Sequence, residues 1–261
     1  LEAAVKRTAR PLRALETAGY IEPTGGKFRL RDVFQPSLSR NRIYGEDYPY
    51  SLPMETEGLK PLNGTIPPLI LSSGNQDVIS EEISALDGAF PDNVASLVDF
   101  GGGDGVFSIG LCRSRPVMKA VIVELPEIAL LARQNVKRAG LESHISVLAG
   151  NWKNVHFEEK FEAALLSDVL NNSEENCRKL LAVAFDTLQK DGKLIIRSKF
   201  LKGNAQDDLF PALWSFYSMQ LMPGRNNYLL AEAMQWIESA GFTITNFKVL
   251  TEFSDIIIAV K

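Results

Sequence analysis

From Ser96 onward the chain alternates short apolar runs with stretches of helical spacing, and that alternation leaves few folds open to it. Ser96–Phe100, Ala120–Glu124, His144–Ala149, Ala163–Ser167 and Leu194–Arg197 have the length and apolar content of strands. Between them, a helix begins at Val106–Cys112, another runs from Pro126 to Arg138 and stops at Gly140, and Glu174–Gln189 reads as a third. Strands separated by helices must run parallel, in a sheet covered on both faces. The end of the chain breaks the rhythm. After a helix at Ala231–Ala240, stopped by Gly241, Thr243–Leu250 and Asp255–Val260 follow with little between them. Two consecutive strands predict an antiparallel hairpin at one edge of the sheet, an ending that a plain dinucleotide-binding fold usually lacks.

The first strand runs into Asp99-Phe100-Gly101-Gly102-Gly103-Asp104-Gly105, and a helix follows. Glycines are needed where the backbone turns tightly and a ligand approaches closely, and the helix start directs amides and a positive dipole end at it. Glu124 ends the next strand, 19 residues after Gly105, where a carboxylate can accept both hydroxyls of a ribose. Those two features fit either a nicotinamide cofactor or S-adenosylmethionine (SAM). The spacing separates them. A dinucleotide fingerprint is G-x-G-x-x-G/A, whereas this loop reads G-x-G-x-G with an acid two residues before its first glycine. Asp99 would repel a pyrophosphate there and suits the ammonium end of SAM.

Composition narrows the remaining classes. With 261 residues, 45% hydrophobic and 23% charged, the chain has an ordinary globular balance. A formal net charge of -4 argues against a nucleic-acid partner for the chain as a whole. No run of eighteen apolar residues occurs, so no membrane span is expected. Cys112 and Cys177 are too few for a disulfide framework, which makes a cytoplasmic, reducing location the expectation. Cysteines and histidines lack metal-ligand spacing, and no metal is expected. The chain opens at Leu1 without a methionine, so a preceding segment is expected.

Residues 1 to 44 hold nine basic residues against four acids. Leu12, Leu15 and Ala18 recur at helical spacing up to Gly19, and Tyr20–Glu22 and Lys27–Leu30 flank Pro23-Thr24-Gly25-Gly26 as a hairpin. Helix then hairpin is the outline of a winged helix. A proline-broken connection follows, and Asp77–Phe90 is predicted as a helix with Ser80 as its cap and Glu81 and Glu82 in its first turn. The expected division is residues 1–90 as a winged-helix-like and helical connecting region, and 91–261 as the Rossmann-like domain.

Several segments together resemble the small-molecule O-methyltransferase family of class I SAM-dependent enzymes, with an N-terminal winged helix. They are Arg10–Tyr20, Leu97–Gly105, Glu124-Leu125-Pro126-Glu127 (the family's D-L-P with Glu for Asp) and Ala149-Gly150-Asn151-Trp152. Val169-Leu170 followed by Glu174–Cys177, and Glu238-Ser239-Ala240-Gly241-Phe242, complete the likeness. The resemblance implies a sheet order of 3-2-1-4-5-7-6, a homodimer formed largely by the N-terminal region, and a role in secondary metabolism. It also implies that Asp99, Gly101 and Gly103 line the methionine portion of SAM, and that Glu124 and Leu125 meet the ribose. Asn151 and Trp152 would flank the adenine, and Ser167 would lie beside the methionine end. Asn151 departs from the family's acid, though its carbonyl can still accept from the adenine amino group.

A larger departure concerns proton transfer. The family has a histidine after V-L, and here Leu170 is followed by Asn171, whose amide takes no proton at neutral pH. His144 is expected at the far end of the sheet and His156 in a loop. Because SAM carries a sulfonium leaving group, alignment can supply much of the acceleration, with Asn171 and Asp168 orienting an acidic acceptor. Glu174 and Glu175 read as first-turn helix acids. Trp214, Tyr217 and Met222 are expected to form an apolar acceptor pocket, with Arg225 holding an anionic group. The expected substrate is a small aromatic or polyketide-like metabolite, methylated on O, N or C. Alternatives are a SAM-retaining relative that catalyses a pericyclic or hydroxylation reaction, a SAM-binding scaffold without chemistry, and a winged-helix DNA-binding regulator.

Overall fold

The computed structural model describes residues 16, 21–24, 27–30, 76–203, 226–251 and 254–261. Strands β1 (Ile21–Thr24) and β2 (Lys27–Leu30) pair antiparallel, with Ile21 opposite Leu30 and Thr24 opposite Lys27. This is the expected hairpin. The helix expected before it lies outside the described residues apart from Glu16.

The alternating region folds as read. In chain order it comprises α1 (Gln76–Asp87), β3 (Ser96–Phe100), α2 (Val106–Ser114), β4 (Lys119–Glu124), α3 (Pro126–Arg138), β5 (Ile145–Ala149) and β6 (Phe161–Ser167). Then come α4 (Glu174–Thr187), β7 (Leu188–Ser198), α5 (Leu230–Ser239), β8 (Thr243–Thr251) and β9 (Ser254–Val260). The sheet order is β5-β4-β3-β6-β7-β9-β8. Counted from β3 as the first strand, that is the expected 3-2-1-4-5-7-6. The pairs β3–β4, β4–β5, β3–β6 and β6–β7 are parallel, while β9 is antiparallel to both β7 and β8.

Strand alternation sorts the core into two layers. Val98, Phe100, Ala164, Leu166, Leu194, Ile196 and Ile257 face one side, packed with Leu180 and Leu181 of α4 and Trp236 and Ile237 of α5. Their neighbours Leu97, Ala163, Leu165, Ile195 and Ile256 face the other, packed with Leu86 of α1, Leu111 of α2 and Val136 of α3. Central strands buried on both faces therefore read as unbroken apolar runs. At the amino ends of the strands, the Glu162 carboxylate accepts from the backbone amides of Ala95 (2.5 Å) and Ser96 (2.9 Å). That clamp fixes β6 beside β3.

Two expected boundaries are corrected. Helix α1 already includes Gln76, so Ser80 lies inside it and does not cap it, and Glu82 is a mid-helix residue turned wholly into the protein. Helix α4 ends at Thr187, and β7 starts at Leu188, not Leu194. The early start is possible because Asp191, at φ 62, bends the strand, so Leu188 and Lys193 pair with Phe161 and Ala163 across a register shift.

Leu165 lies fully buried on β6, between β3 and β7. Leu165→Ala is expected to cost about 2–5 kcal/mol through lost burial and the cavity left behind. The shift in the urea unfolding midpoint measures it, with an unchanged denaturant slope.

Candidate functional site

Parallel sheets bind ligands outside the carboxyl ends of their strands. Here β3, β4, β5 and β6 bring most of the singled-out residues to that edge. The glycine loop leaves β3 with Gly101 at φ 70, a conformation that costs glycine little and other residues much. A Cβ at Gly101 would also lie 2.6 Å from Val169 Cγ1, so the loop rests directly against the turn that follows β6. The sequence therefore needs glycine there twice over, for the backbone angle and for the approach.

Beneath the loop, Asp99 is 1% exposed. Its Oδ2 accepts from the Ser108 hydroxyl at 2.6 Å, and its Oδ1 has no hydrogen-bond partner. Burial pushes this carboxyl up to about 7. The Ser108 bond pulls it down, and the neighbouring charges of Glu124 and Asp104 push it further up. Three carboxylates thus surround one glycine loop, and the most buried of them has an oxygen without a donor. A cation-bearing ligand relieves that arrangement, whereas a pyrophosphate would worsen it.

Glu124, at the tip of β4, accepts from the Gly103 amide (3.1 Å, Oε2) and the Leu125 amide (2.7 Å, Oε1). The carboxylate is thereby aimed along the crevice, and its remaining lone pairs can take hydroxyl donors. Leu125 is exposed beside it at the head of α3. Past β5, the Asn151 side chain caps a short 3-10 turn by accepting from the Lys153 amide at 3.0 Å. Trp152 packs its ring against the core, with Lys153 Nζ 5.4 Å from the ring centroid. A planar face beside a polar amide suits a heterocyclic base.

On the other side of the loop are Ser167, Asp168 and Asn171. Asp168 has φ 52 and forms ion pairs with Arg197 and with Lys199 (3.3 Å). Burial raises its carboxyl, but the two cations outweigh that and hold it below the usual carboxylate range. Asp168 is therefore a poor proton acceptor. Asn171 Nδ2 donates to the Asp168 carbonyl at 2.6 Å, and the Asn171 carbonyl accepts from the Asn226 amide, also at 2.6 Å. Of the histidines, His144 lies 3.2 Å from the Pro116 carbonyl, just before β5, and His156 is exposed. Glu174 and Glu175 make i,i+4 pairs with Arg178 and Lys179, as first-turn helix acids do. Trp214, Tyr217, Met222 and Arg225 lie outside the described residues.

Sequence reasoning missed an ion cluster at this edge. Glu82, Arg197 and Lys199 are buried, and Arg197 bridges Glu82 on α1 and Asp168 after β6. Arg197 closing an otherwise apolar strand was the available signal, since a buried guanidinium requires carboxylate partners. Which acid answers it is not visible without the fold.

The profile of the O-methyltransferase domain family matches residues 73–243, more than half of the chain. The chain belongs to that family. One relative is 3-hydroxy-5-methyl-1-naphthoate 3-O-methyltransferase of Streptomyces sahachiroi, 31% identical over 149 residues, or 57% of this chain and 43% of that one. Another is L-tyrosine C(3)-methyltransferase of Streptomyces lavendulae, 30% identical over 157 residues, with 59% and 43% covered. Aclacinomycin 10-hydroxylase RdmB of Streptomyces purpurascens is also related, 28% identical over 134 residues, with 51% and 36% covered. The chain thus spans less than half the length of these curated relatives. Among solved structures, an O-methyltransferase family 2 protein from Planctomyces limnophilus, in complex with apigenin, shares the fold. Its TM-score is 0.65 at 19% identity, covering 98% of this chain and 81% of that one. Members of this O-methyltransferase family use SAM as methyl donor, and the anionic cradle under the glycine loop fits such a cation.

Asp99 titrates near 7 in the fold and near 3.8 when unfolded, so its contribution to stability is fully present below about pH 3.8 and is lost as pH rises through about 7. Asp99→Asn keeps an acceptor for Ser108 and cannot ionise. Relative to it, the ligand-free wild type is expected to lose on the order of 4 kcal/mol between about pH 4 and pH 8. Denaturant unfolding of both proteins across that range measures the difference, and parallel pH curves would contradict it.

Proposed function

We propose that this chain binds SAM at the carboxyl edge of β3, β4 and β5 and directs its methyl group to a small, aromatic or polyketide-like metabolite. The observation that carries the reading is the buried Asp99 carboxylate, with an unpartnered oxygen beside two further acids under a glycine loop. In this reading Asp99, Gly101 and Gly103 hold the methionine portion, and Ser167 borders it. Glu124 shares its carboxylate between the loop amides and the ribose hydroxyls, with Leu125 against the sugar. Asn151 and Trp152 hold the adenine.

SAM, when bound, supplies an electrophilic methyl on a sulfonium, so the protein's part is orientation and exclusion of water. Asp168 and Asn171 orient the acceptor beside the glycine loop. Neither removes its proton: an amide is not a base, and Asp168 is held ionised by Arg197 and Lys199. With neither as base, the reading takes as acceptor a group that gives up its proton to water, such as an acidic phenol, a carboxylic acid or an enol. Trp214, Tyr217, Met222 and Arg225 complete the acceptor pocket in this reading. It also includes a homodimer built by residues 1–90, a catalytic domain at 91–261 and a cytoplasmic location. Among the described residues, no helix is long and apolar enough to cross a membrane.

Titration calorimetry with SAM, S-adenosylhomocysteine (SAH) and NADH tests the cofactor. Micromolar SAM and SAH binding is expected, with none for NADH. Glu124→Ala is expected to weaken SAM by about ten- to a hundredfold, from charge-assisted hydrogen bonds worth roughly 1.5–3 kcal/mol. Tight NADH binding or absence of SAM binding contradicts the reading. Radiolabelled SAM incubated with hydroxynaphthoates and phenols of graded acidity tests transfer, with faster methylation expected for the more acidic acceptors. SAM binding without transfer to any of them would favour the non-methylating alternative.

A further inference from the structure

Resting on the proposal that the acceptor lies beside Asp168, we infer that Glu82 is a positioning residue for that carboxylate. It acts through Arg197 from α1. Glu82 is wholly buried in the middle of α1. Its Oε2 accepts from Arg197 Nε (2.9 Å) and Nη2 (2.5 Å), and its Oε1 accepts from the Ser254 hydroxyl at the start of β9. The carboxylate is thus held from two sides. It fixes the guanidinium plane, whose central carbon also lies 4.8 Å from the centroid of the Phe107 ring, in the first turn after the glycine loop.

The remaining arm of the fork points at the site. Arg197 Nη1 donates to the Asp168 carboxylate and lies 3.5 Å from Ser167 Oγ. Asp168 has φ 52, a region that a residue other than glycine holds only where its surroundings over-determine it. The Arg197 fork, Lys199 and the Asn171 amide on the Asp168 carbonyl are those surroundings. A planar guanidinium clamped at one end transmits its placement to the other, which a flexible ammonium would not do. Moving Glu82 therefore moves Asp168, and with it Asn171, although Glu82 touches neither.

Among the described residues, the charged groups facing Asp168 are Arg197 and Lys199, with Glu82 behind Arg197. A purely structural role for Glu82 would change the melting temperature and leave the Asp168 signal of Glu82→Gln unmoved. The test uses the full chain with 13Cγ-labelled aspartate, the Asp168 signal being identified by its loss in Asp168→Asn. Glu82→Gln keeps an acceptor for the fork and removes the charge. The pair Glu82→Met/Arg197→Met removes the fork and leaves neither of its charges buried alone. In the pair, the Asp168 midpoint is expected to rise by at least one pH unit, a tenfold weaker acid, while SAH affinity stays within about twofold of wild type. In Glu82→Gln the Asp168 signal should move while its midpoint remains low. With whichever naphthoate or phenol the wild type methylates, the pair should lose about tenfold in kcat at an unchanged KM for SAM. Glu82→Gln should retain most of kcat. An unmoved Asp168 signal in Glu82→Gln, or an unchanged midpoint in the folded pair, overturns the inference. Failure of wild type to bind SAH sinks the cofactor reading instead, and the Asp168 titration still judges the linkage.

Discussion

A guanidinium taken out of water cannot shed its charge, so it must be met by carboxylates, and Arg197 is met by one at each end. Strand alternation puts Arg197 on the face of β7 that carries Ile195, toward α1 and α2. The apolar pattern continues up to Ile196 and then gives way to Arg197, Ser198 and Lys199, all buried. Burial works against the charge on Arg197, and Asp168 and Glu82 more than restore it. Removing one member of such a group typically costs about 3–5 kcal/mol, because the others are left buried and unpaired. The cluster therefore ties α1, β6, β7 and β9 together at the edge where the parallel strands end, and the turn after β6 takes its place from it.

Asp99 and Asp168 show what that cluster does. Asp99 lies at the carboxyl end of β3, and Asp168 directly follows the neighbouring strand β6. Burial raises each. For Asp99 nothing cationic compensates, so it stays up near 7, while for Asp168 two cations reverse the sign. Among the described residues, Asp99 thus has no cation beside it and Asp168 has two. Paired carboxyls pushed in opposite directions mark a division of roles. In the proposed reading the first waits for the cationic end of the donor, and the second is a fixed, ionised platform for the acceptor.

The parts of this arrangement that were legible in the sequence are those set by local rules. Alternating runs gave the strand and helix order, the consecutive last two strands gave the antiparallel edge, and the G-x-G-x-G loop gave the crevice. Glu124 followed from its place at the end of the next strand. What was not legible depends on contacts between distant positions. Glu82 read as a first-turn acid because Ser80 looked like a cap, yet the helix starts earlier and turns Glu82 toward Arg197, 115 residues away. The start of β7 was hidden because Leu188 and Gln189 read as the end of the helix and Lys190-Asp191-Gly192 as a polar turn, and only pairing with β6 extends the strand through them. Lys199 lies beyond the strand expected at Leu194–Arg197 and gave no signal of its own, and its burial against Asp168 follows from the three-dimensional edge alone.

The missing histidine then has a physical counterpart. If the crevice lacks a proton acceptor, the barrier left for the protein to lower is that of bringing an already nucleophilic atom into line with the methyl. The useful property is rigidity, since proximity gains depend on holding reacting atoms near contact distance. Asn171 is bound at both ends of its residue, by side chain to the Asp168 carbonyl and by its own carbonyl to Asn226. Asp168 is bound through its carboxylate to two cations and through its amide to the Arg197 carbonyl at 2.8 Å. The two ion pairs that fix the Asp168 carboxylate also lower its basicity, because a carboxylate shared between two cations has little affinity left for a proton. The same bonds therefore trade base strength for position. In the proposed reading, a crevice built in that way selects its acceptor by acidity, which the family's histidine would otherwise make unnecessary.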